Sequence, residues 1–230
     1  MLLEDFPDTI RVLSDAHKKT PVGPRLDLLK QMKNITYDEL RCIEPLYVSQ
    51  ILPVVLDRLD DKPDVFQAAL DLGNHLVSLL SVQTFPYIAE FLFSGLQENS
   101  KWRSKLGSLE ILRSYIVRVD NLDRDLLSAS LPELVKTLSN LVHDTKTEVA
   151  EMAIDTLKKA MRGITNRDLE PFVENLVNAI INRSETEETI QRLAGVVFVQ
   201  TVEGSALSVL VPLMVAGFRQ SKALVKRMCS

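Results

Sequence analysis

Little in this 230-residue sequence interrupts a helix: it has 8 glycines and 10 prolines, and aromatic residues make up only 6%. Alternating β-branched runs are also scarce, which argues against a sheet protein. Two cysteines, Cys42 and Cys229, supply neither a disulfide framework nor a zinc-ligand spacing. They fit a reduced, cytoplasmic protein. The longest apolar stretches, such as Ile51–Leu56, fall far short of the roughly 20 residues a membrane-spanning helix needs. Glu4, Asp5 and Asp8 make the first residues unlike a secretory leader. A net charge of −4 disfavours nucleic-acid binding by bulk electrostatics. That charge is uneven: residues 1–100 hold 9 basic and 15 acidic side chains, residues 101–230 hold 18 and 16.

Catalytic motifs are missing as well. There is no Gly-x4-Gly-Lys phosphate loop and no GxGxxG, GxSxG or HExxH signature. His17, His75 and His143 stand isolated from one another. The expectation is a chain that is not itself an enzyme, with no cofactor, no metal, no small-molecule substrate and no membrane partner.

What is present is helical periodicity. Leu131, Leu134, Val135, Leu138, Leu141 and Val142 form one apolar stripe. Val149, Met152, Ala153, Leu157, Ala160 and Met161 form another. The polar segment 143–147 between them suits a tight turn, which makes the two an antiparallel hairpin. The hairpin recurs. Pro53, Pro86, Pro132, Pro171 and Pro212 each fall near the start of an apolar helix, where proline sacrifices no hydrogen bond. Their spacings of 33, 46, 39 and 41 average just under 40, the period of HEAT and armadillo repeats. Asp60 and Asp144 each stand five residues before a valine that opens a second helix, and Asn99 holds the matching place before Lys101.

These patterns predict an all-α fold: an α-solenoid of antiparallel helix pairs wound as a right-handed superhelix. Residues 1–230 read as a single HEAT-repeat domain. Residues 1–46 form an N-terminal cap region, with helices near Leu3–Ala16, Arg25–Met32 and from Tyr37, and a loop at Thr20–Pro24. About four and a half helix pairs fill 46–230, at 46–82, 84–120, 126–163 and 168–203, with a fifth from Ser205. The last apolar helix, 206–218, is followed by too little chain to cover it. Either the protein continues, or a partner or a second copy lies there.

Three basic clusters are candidate recognition sites. Lys101, Trp102, Arg103 and Lys105 combine the only tryptophan with three cations at a helix start. Lys146, with Lys158, Lys159 and Arg162, forms a second cluster. Arg219 and Lys222, with Lys226 and Arg227, form a third. A tryptophan flanked by cations suits stacking or a protein hot spot. The plainer alternative is a tryptophan packed between repeats beside solvated charges.

The segments 100–105, 144–149 and 165–172, followed by Glu187-Glu188-Thr189, Phe198-Val199 and the run 206–213, resemble successive HEAT repeats of fungal-type translation elongation factor 3. The similarity extends, more weakly, to a large ribosome-associated activator of the amino-acid-starvation kinase and to a second fungal ribosome-associated ATPase. The resemblance implies ribosome docking, on ribosomal proteins or rRNA, in translation elongation. In that family ATPase cassettes, which this chain lacks, drive release of exit-site tRNA. A tubulin-binding array of the TOG kind and a generic protein-binding scaffold are the competing classes. The acidic 60–64 loop and the late position of Trp102 count against tubulin.

Overall fold

The computed structural model describes Arg11 and residues 21–34, 50–219 and 222–229. Among these residues the fold is all-α, with no strand. The chain divides into two compact units, Met1–Arg118 and Val119–Ser230. The cap helices expected near Leu3–Ala16 and from Tyr37 lie outside the described residues.

The first unit contains α1 (Val22–Met32), α2 (Leu52–Arg58), α3 (Pro63–Leu79), α4 (Phe85–Ser94) and most of α5 (Trp102–Leu122). Prolines open several of these helices. Pro63 is the first residue of α3, and Pro53 and Pro86 are the second residues of α2 and α4. Each sits where its missing N–H is not needed. One expectation is corrected here. Val22, Gly23 and Pro24 belong to the first turn of α1 rather than to a loop, because proline is tolerated in a first turn.

Helix α1 packs on α3, and α2 packs on both α3 and α4. The apolar face of α3 (Val65, Ala69, Leu72, Leu76) is fully buried. Phe85 of α4 meets Tyr115 of α5 edge-on, with ring centroids 5.1 Å apart. The Tyr115 hydroxyl reaches the Ser81 carbonyl at 2.6 Å, so this buried phenol keeps its hydrogen bond. Leu59 lies directly over Gly107 of α5, where an added Cβ would stand 2.7 Å from a leucine methyl.

A charge cluster is buried where α1 meets the α2–α3 turn. Arg25 is 1% exposed, Arg58 2% and Asp61 7%. The Asp61 carboxylate accepts from the Arg25 guanidinium and lies 3.7 Å from Nη1 of Arg58. Removing one partner of a buried pair strands the opposite charge in a low-dielectric interior. Asp61→Asn is therefore expected to lower stability by about 3–5 kcal/mol. Asp60→Asn, which breaks the exposed pair with Lys101, should cost about 1 kcal/mol or less. Urea denaturation of the two variants measures the contrast, and equal losses would contradict it.

The second unit contains α6 (Arg124–Leu141), α7 (Thr147–Ala160), α8 (Val173–Ile181), α9 (Thr186–Leu193), α10 (Gly204–Phe218) and α11 (Ala223–Met228). The Asp123 carboxylate caps α6 by accepting the Leu126 N–H at 3.0 Å. Asp144 turns the chain into α7 by accepting the Lys146 N–H at 2.9 Å. Helix α6 packs on α7 and on α10, and α9 packs on α8, α10 and α11. The stripe expected on α6 is buried at Leu131, Leu134, Val135 and Leu138.

Two prolines behave differently from expectation. Pro132 and Pro212 lie inside α6 and α10 rather than near a helix start. Both rings are exposed, so the proline penalty is set against burial of an apolar stripe that continues on both sides.

A second correction concerns 194–203. The fourth pair was expected to stay helical to 203, but α9 ends at Leu193 and no helix resumes before Gly204. The valines of Val196–Val199 favour extended backbone, and side-chain bonds fix it. The Asp168 carboxylate accepts the N–H groups of Val199 and Gln200 at 2.8 and 2.9 Å. Gln200 Oε1 accepts the Arg167 N–H at 2.9 Å. Bonds to a charged acceptor are each worth about 1.5–3 kcal/mol. Asp168→Ala should therefore speed amide exchange at Val199 and Gln200 by about tenfold or more. Unchanged protection at both amides in hydrogen-exchange NMR would show that the carboxylate does not hold this segment.

Long-range polar cross-links within each unit join residues 31 to 42 apart, and several fall near 40. Lys33–Asp71, Lys101–Asp60 and Arg118–Val77 join residues 38, 41 and 41 apart, and Arg124–Ile164 and Arg162–Asp120 join residues 40 and 42 apart. That is the near-40 period of the prolines, expressed here as contacts between neighbouring helix pairs.

Candidate docking surface

Helix α5 begins with the densest of the basic clusters. Lys101 immediately precedes the helix, and Trp102, Arg103 and Lys105 occupy its first turn. Trp102 is 38% exposed and is not packed away between repeats. The Arg103 guanidinium lies 5.3 Å from the centre of the indole ring, within cation–π range. Lys101 is exposed but committed, its Nζ lying 2.5 Å from Asp60 Oδ2. Lys105 is half-buried. The partner of Lys101 comes from the acidic 60–64 segment 41 residues earlier, so its positive charge is largely cancelled.

The electrostatics of this turn run against helix stability. A helix N-terminus carries partial positive charge, and α3, α6, α7, α8 and α9 each place an acid in the first turn. Helix α5 has no acid there and carries Arg103 and Lys105 instead. Cations at this position cost a few tenths of a kcal/mol each.

The other candidates lie in the second unit. Lys146 is exposed at the N-cap of α7. Arg219 is exposed at the C-cap of α10, where a cation suits the helix dipole. Lys222 is exposed but bonded, its Nζ lying 2.8 Å from both carboxylate oxygens of Glu187. Arg162 reaches Asp120 at 3.4 Å. The sequence marked these cations correctly as surface residues. It did not reveal that Lys101 and Lys222 are held by carboxylates one repeat away.

Among the described residues, Asp71 and Cys229 have shifted titration. A hydrogen bond from Gln67, with Lys33 adding a second bond and its charge, holds the Asp71 carboxyl below the usual range against the opposing effect of burial. Burial pushes the Cys229 thiol up, so it is an inert packing group against Gly217. Among the described residues no group of three or more His, Cys, Asp or Glu side chains could hold a metal ion, and no single helix is long and apolar enough to cross a membrane.

Antiparallel helix pairs cross-linked at intervals near 40 residues, bearing an exposed tryptophan–arginine pair at a helix start, define a helical-repeat module of the HEAT class. More specifically, the chain belongs to the family described as EF3 N-terminal HEAT repeat, which matches residues 8–157. A second family, Elongation factor 3/GNC1 HEAT repeat, matches residues 184–230. The chain is 32% identical over 182 residues to elongation factor 3 of Phytophthora infestans, covering 79% of this chain and 17% of that protein. It is 31% identical over 186 residues to elongation factor 3B of Saccharomyces cerevisiae, covering 80% and 17%. The chain thus corresponds to about a sixth of the length of these relatives, within their HEAT-repeat region.

Proposed function

We propose that this chain is the ribosome-docking HEAT-repeat domain of an elongation factor 3-like protein and acts in translation elongation in the cytoplasm. The observation that carries the reading is the family match over residues 8–157. In this reading the chain supplies binding and positioning. Chemistry that drives exit-site tRNA release belongs to ATPase cassettes outside it, and the chain itself is not an enzyme.

Trp102 and Arg103 are the centre of the docking surface. An exposed indole under a guanidinium offers a rigid apolar face with charge above it, the combination that dominates binding energy in protein interfaces and also stacks on bases. Lys105, Lys146 and Arg219 add long-range attraction to ribosomal protein or rRNA. Lys101 and Lys222 contribute less, because Asp60 and Glu187 already neutralise them.

Co-sedimentation of the 230-residue chain with purified ribosomes tests this. Trp102→Ala and Arg103→Glu should each weaken association by about tenfold or more, and Lys146→Glu should reduce its salt dependence. Lys101→Ala and Lys222→Ala should change it by less than about threefold. Failure of the wild-type chain to sediment with ribosomes would overturn the functional reading. Sedimentation unaffected by Trp102→Ala and Arg103→Glu would move the docking surface elsewhere. A parallel microtubule-pelleting assay separates this reading from a tubulin-binding array and should show no binding.

A further inference from the structure

Sequence and conformation disagree over residues 194–203. Ile190, Leu193, Ala194, Val197, Phe198 and Val202 fall on one helical stripe, at offsets 0, 3, 4, 7, 8 and 12, that begins in α9. Yet α9 stops at Leu193 after 8 residues, where the corresponding second helices α3, α5 and α7 run for 17, 21 and 14. Beyond it Val197 is 81% exposed and Val199 85%. No residue from Ala194 to Val202 carries a charge. Exposure of such side chains is unfavourable, and polar bonds elsewhere on the segment offset it.

Those bonds form a clasp between residues 166–168 and 199–201. The Asp168 carboxylate accepts the Val199 and Gln200 N–H groups, Gln200 Oε1 accepts the Arg167 N–H, and Asn166 Nδ2 donates to the Thr201 carbonyl at 3.4 Å. The neighbouring helix fixes where the unclasped segment would lie. Glu187 bonds Lys222, and Ile190 lies over Gly217. One chain therefore retreats as the other advances, and α9 runs antiparallel to α10. Continued in that register, Val197 comes level with Leu210, Thr201 with Ala206, and Glu203 with Gly204. A helix over 194–202 would thus end where α10 begins. Leu210 is half-buried and Met214 is 40% exposed, so both retain apolar surface that such a helix would cover.

We propose that 194–203 is a two-state strap with Asp168 as its latch: clasped and extended as the structure shows it, or released and coiled as a continuation of α9 along α10. Each form makes interactions the other lacks. The clasp has two hydrogen bonds to a charged acceptor, and the helix buries Val197 and Phe198. Val196, Val197, Val199, Thr201 and Val202 are β-branched and Gly195 lies within the span, so the helix is weak alone and forms only against α10. The exchange presents Val197 and Phe198 to solvent in one state and withdraws them in the other. Gly195 tunes the balance. An added Cβ there would have nothing within 4 Å and its φ is not positive, so alanine fits the clasped form. In a helix interior the same change favours the helix by about fivefold.

Backbone Cα chemical shifts of residues 196–201 in the full chain are the test, with circular dichroism to confirm that each variant is folded. The wild type and Gly195→Ala should both give extended values, because the latch holds. Asp168→Ala should move them part-way toward helical values, its helix being too marginal to slow amide exchange. Asp168→Ala combined with Gly195→Ala should give helical values. Adding Val197→Asp to that pair should abolish them. The position is 81% exposed in the clasped form, so the aspartate is tolerated there, whereas in the helix it sets a charge against Leu210. Non-helical shifts in the Asp168→Ala, Gly195→Ala variant overturn the proposal. So do helical shifts in Gly195→Ala alone, which would show that Asp168 is not the latch, or a helix that survives Val197→Asp, which would show that it does not lie on α10.

Discussion

The fold depends on helical segments and the turns that end them coming close enough for a leucine of one to rest on a glycine of another. Leu59 lies on Gly107 in the first unit, and Leu127 lies on Gly163 in the second, where an added Cβ would stand 2.9 Å from the leucine Cγ and 3.2 Å from backbone atoms. No glycine among the described residues has a positive φ. These two glycines therefore serve space rather than backbone freedom. An amphipathic helix buries only one stripe, so a pair is stable only when its stripe meets the next pair at full contact distance. Gly107 and Gly163 meet that requirement, whereas an added Cβ at Gly23, Gly195 or Gly204 would have nothing within 4 Å.

Much of this was legible beforehand because the repeat writes itself into spacing. The proline interval anticipated the distance in sequence between helices that touch, and the stripe through Leu131 and Leu138 anticipated the buried face of α6. Two of the misses involve tertiary contacts that the local signal did not carry. Pro132 and Pro212 read as start markers, yet the buried stripes continue through them. Val196–Val199 read as part of a helix, yet the segment is not helical, and Asp168 bonds to the N–H groups of Val199 and Gln200 from 31 and 32 residues away. The same limit applies to the candidate site. Exposure of the cations followed from their position at turns. Neutralisation of Lys101 by Asp60 required the neighbouring repeat, and composition alone cannot say which side of so apolar a helix as α10 is left uncovered.

The start of α5 departs in charge from the starts of the other long helices. Five other helices, α3, α6, α7, α8 and α9, carry acids in the first turn that suit the helix dipole. Here the dipole is opposed, an indole is left in solvent, and a guanidinium is spread over it. Of the seven candidate residues, Trp102 and Arg103 are the two that the structure brings into contact with each other.

The arginines that close helix ends carry one more implication. Arg118 of α5 donates to the carbonyls of Val77 and Leu80 at the end of α3, and Arg124 of α6 donates to those of Arg162 and Ile164 just beyond α7. Each guanidinium fastens the tail of one helix to the flank of another some 40 residues away. Tension applied along the chain would then pass through these side-chain rivets as well as through the covalent turns. Each unit should yield to a pulling force in discrete steps, one fastening at a time, and re-form when the load is removed.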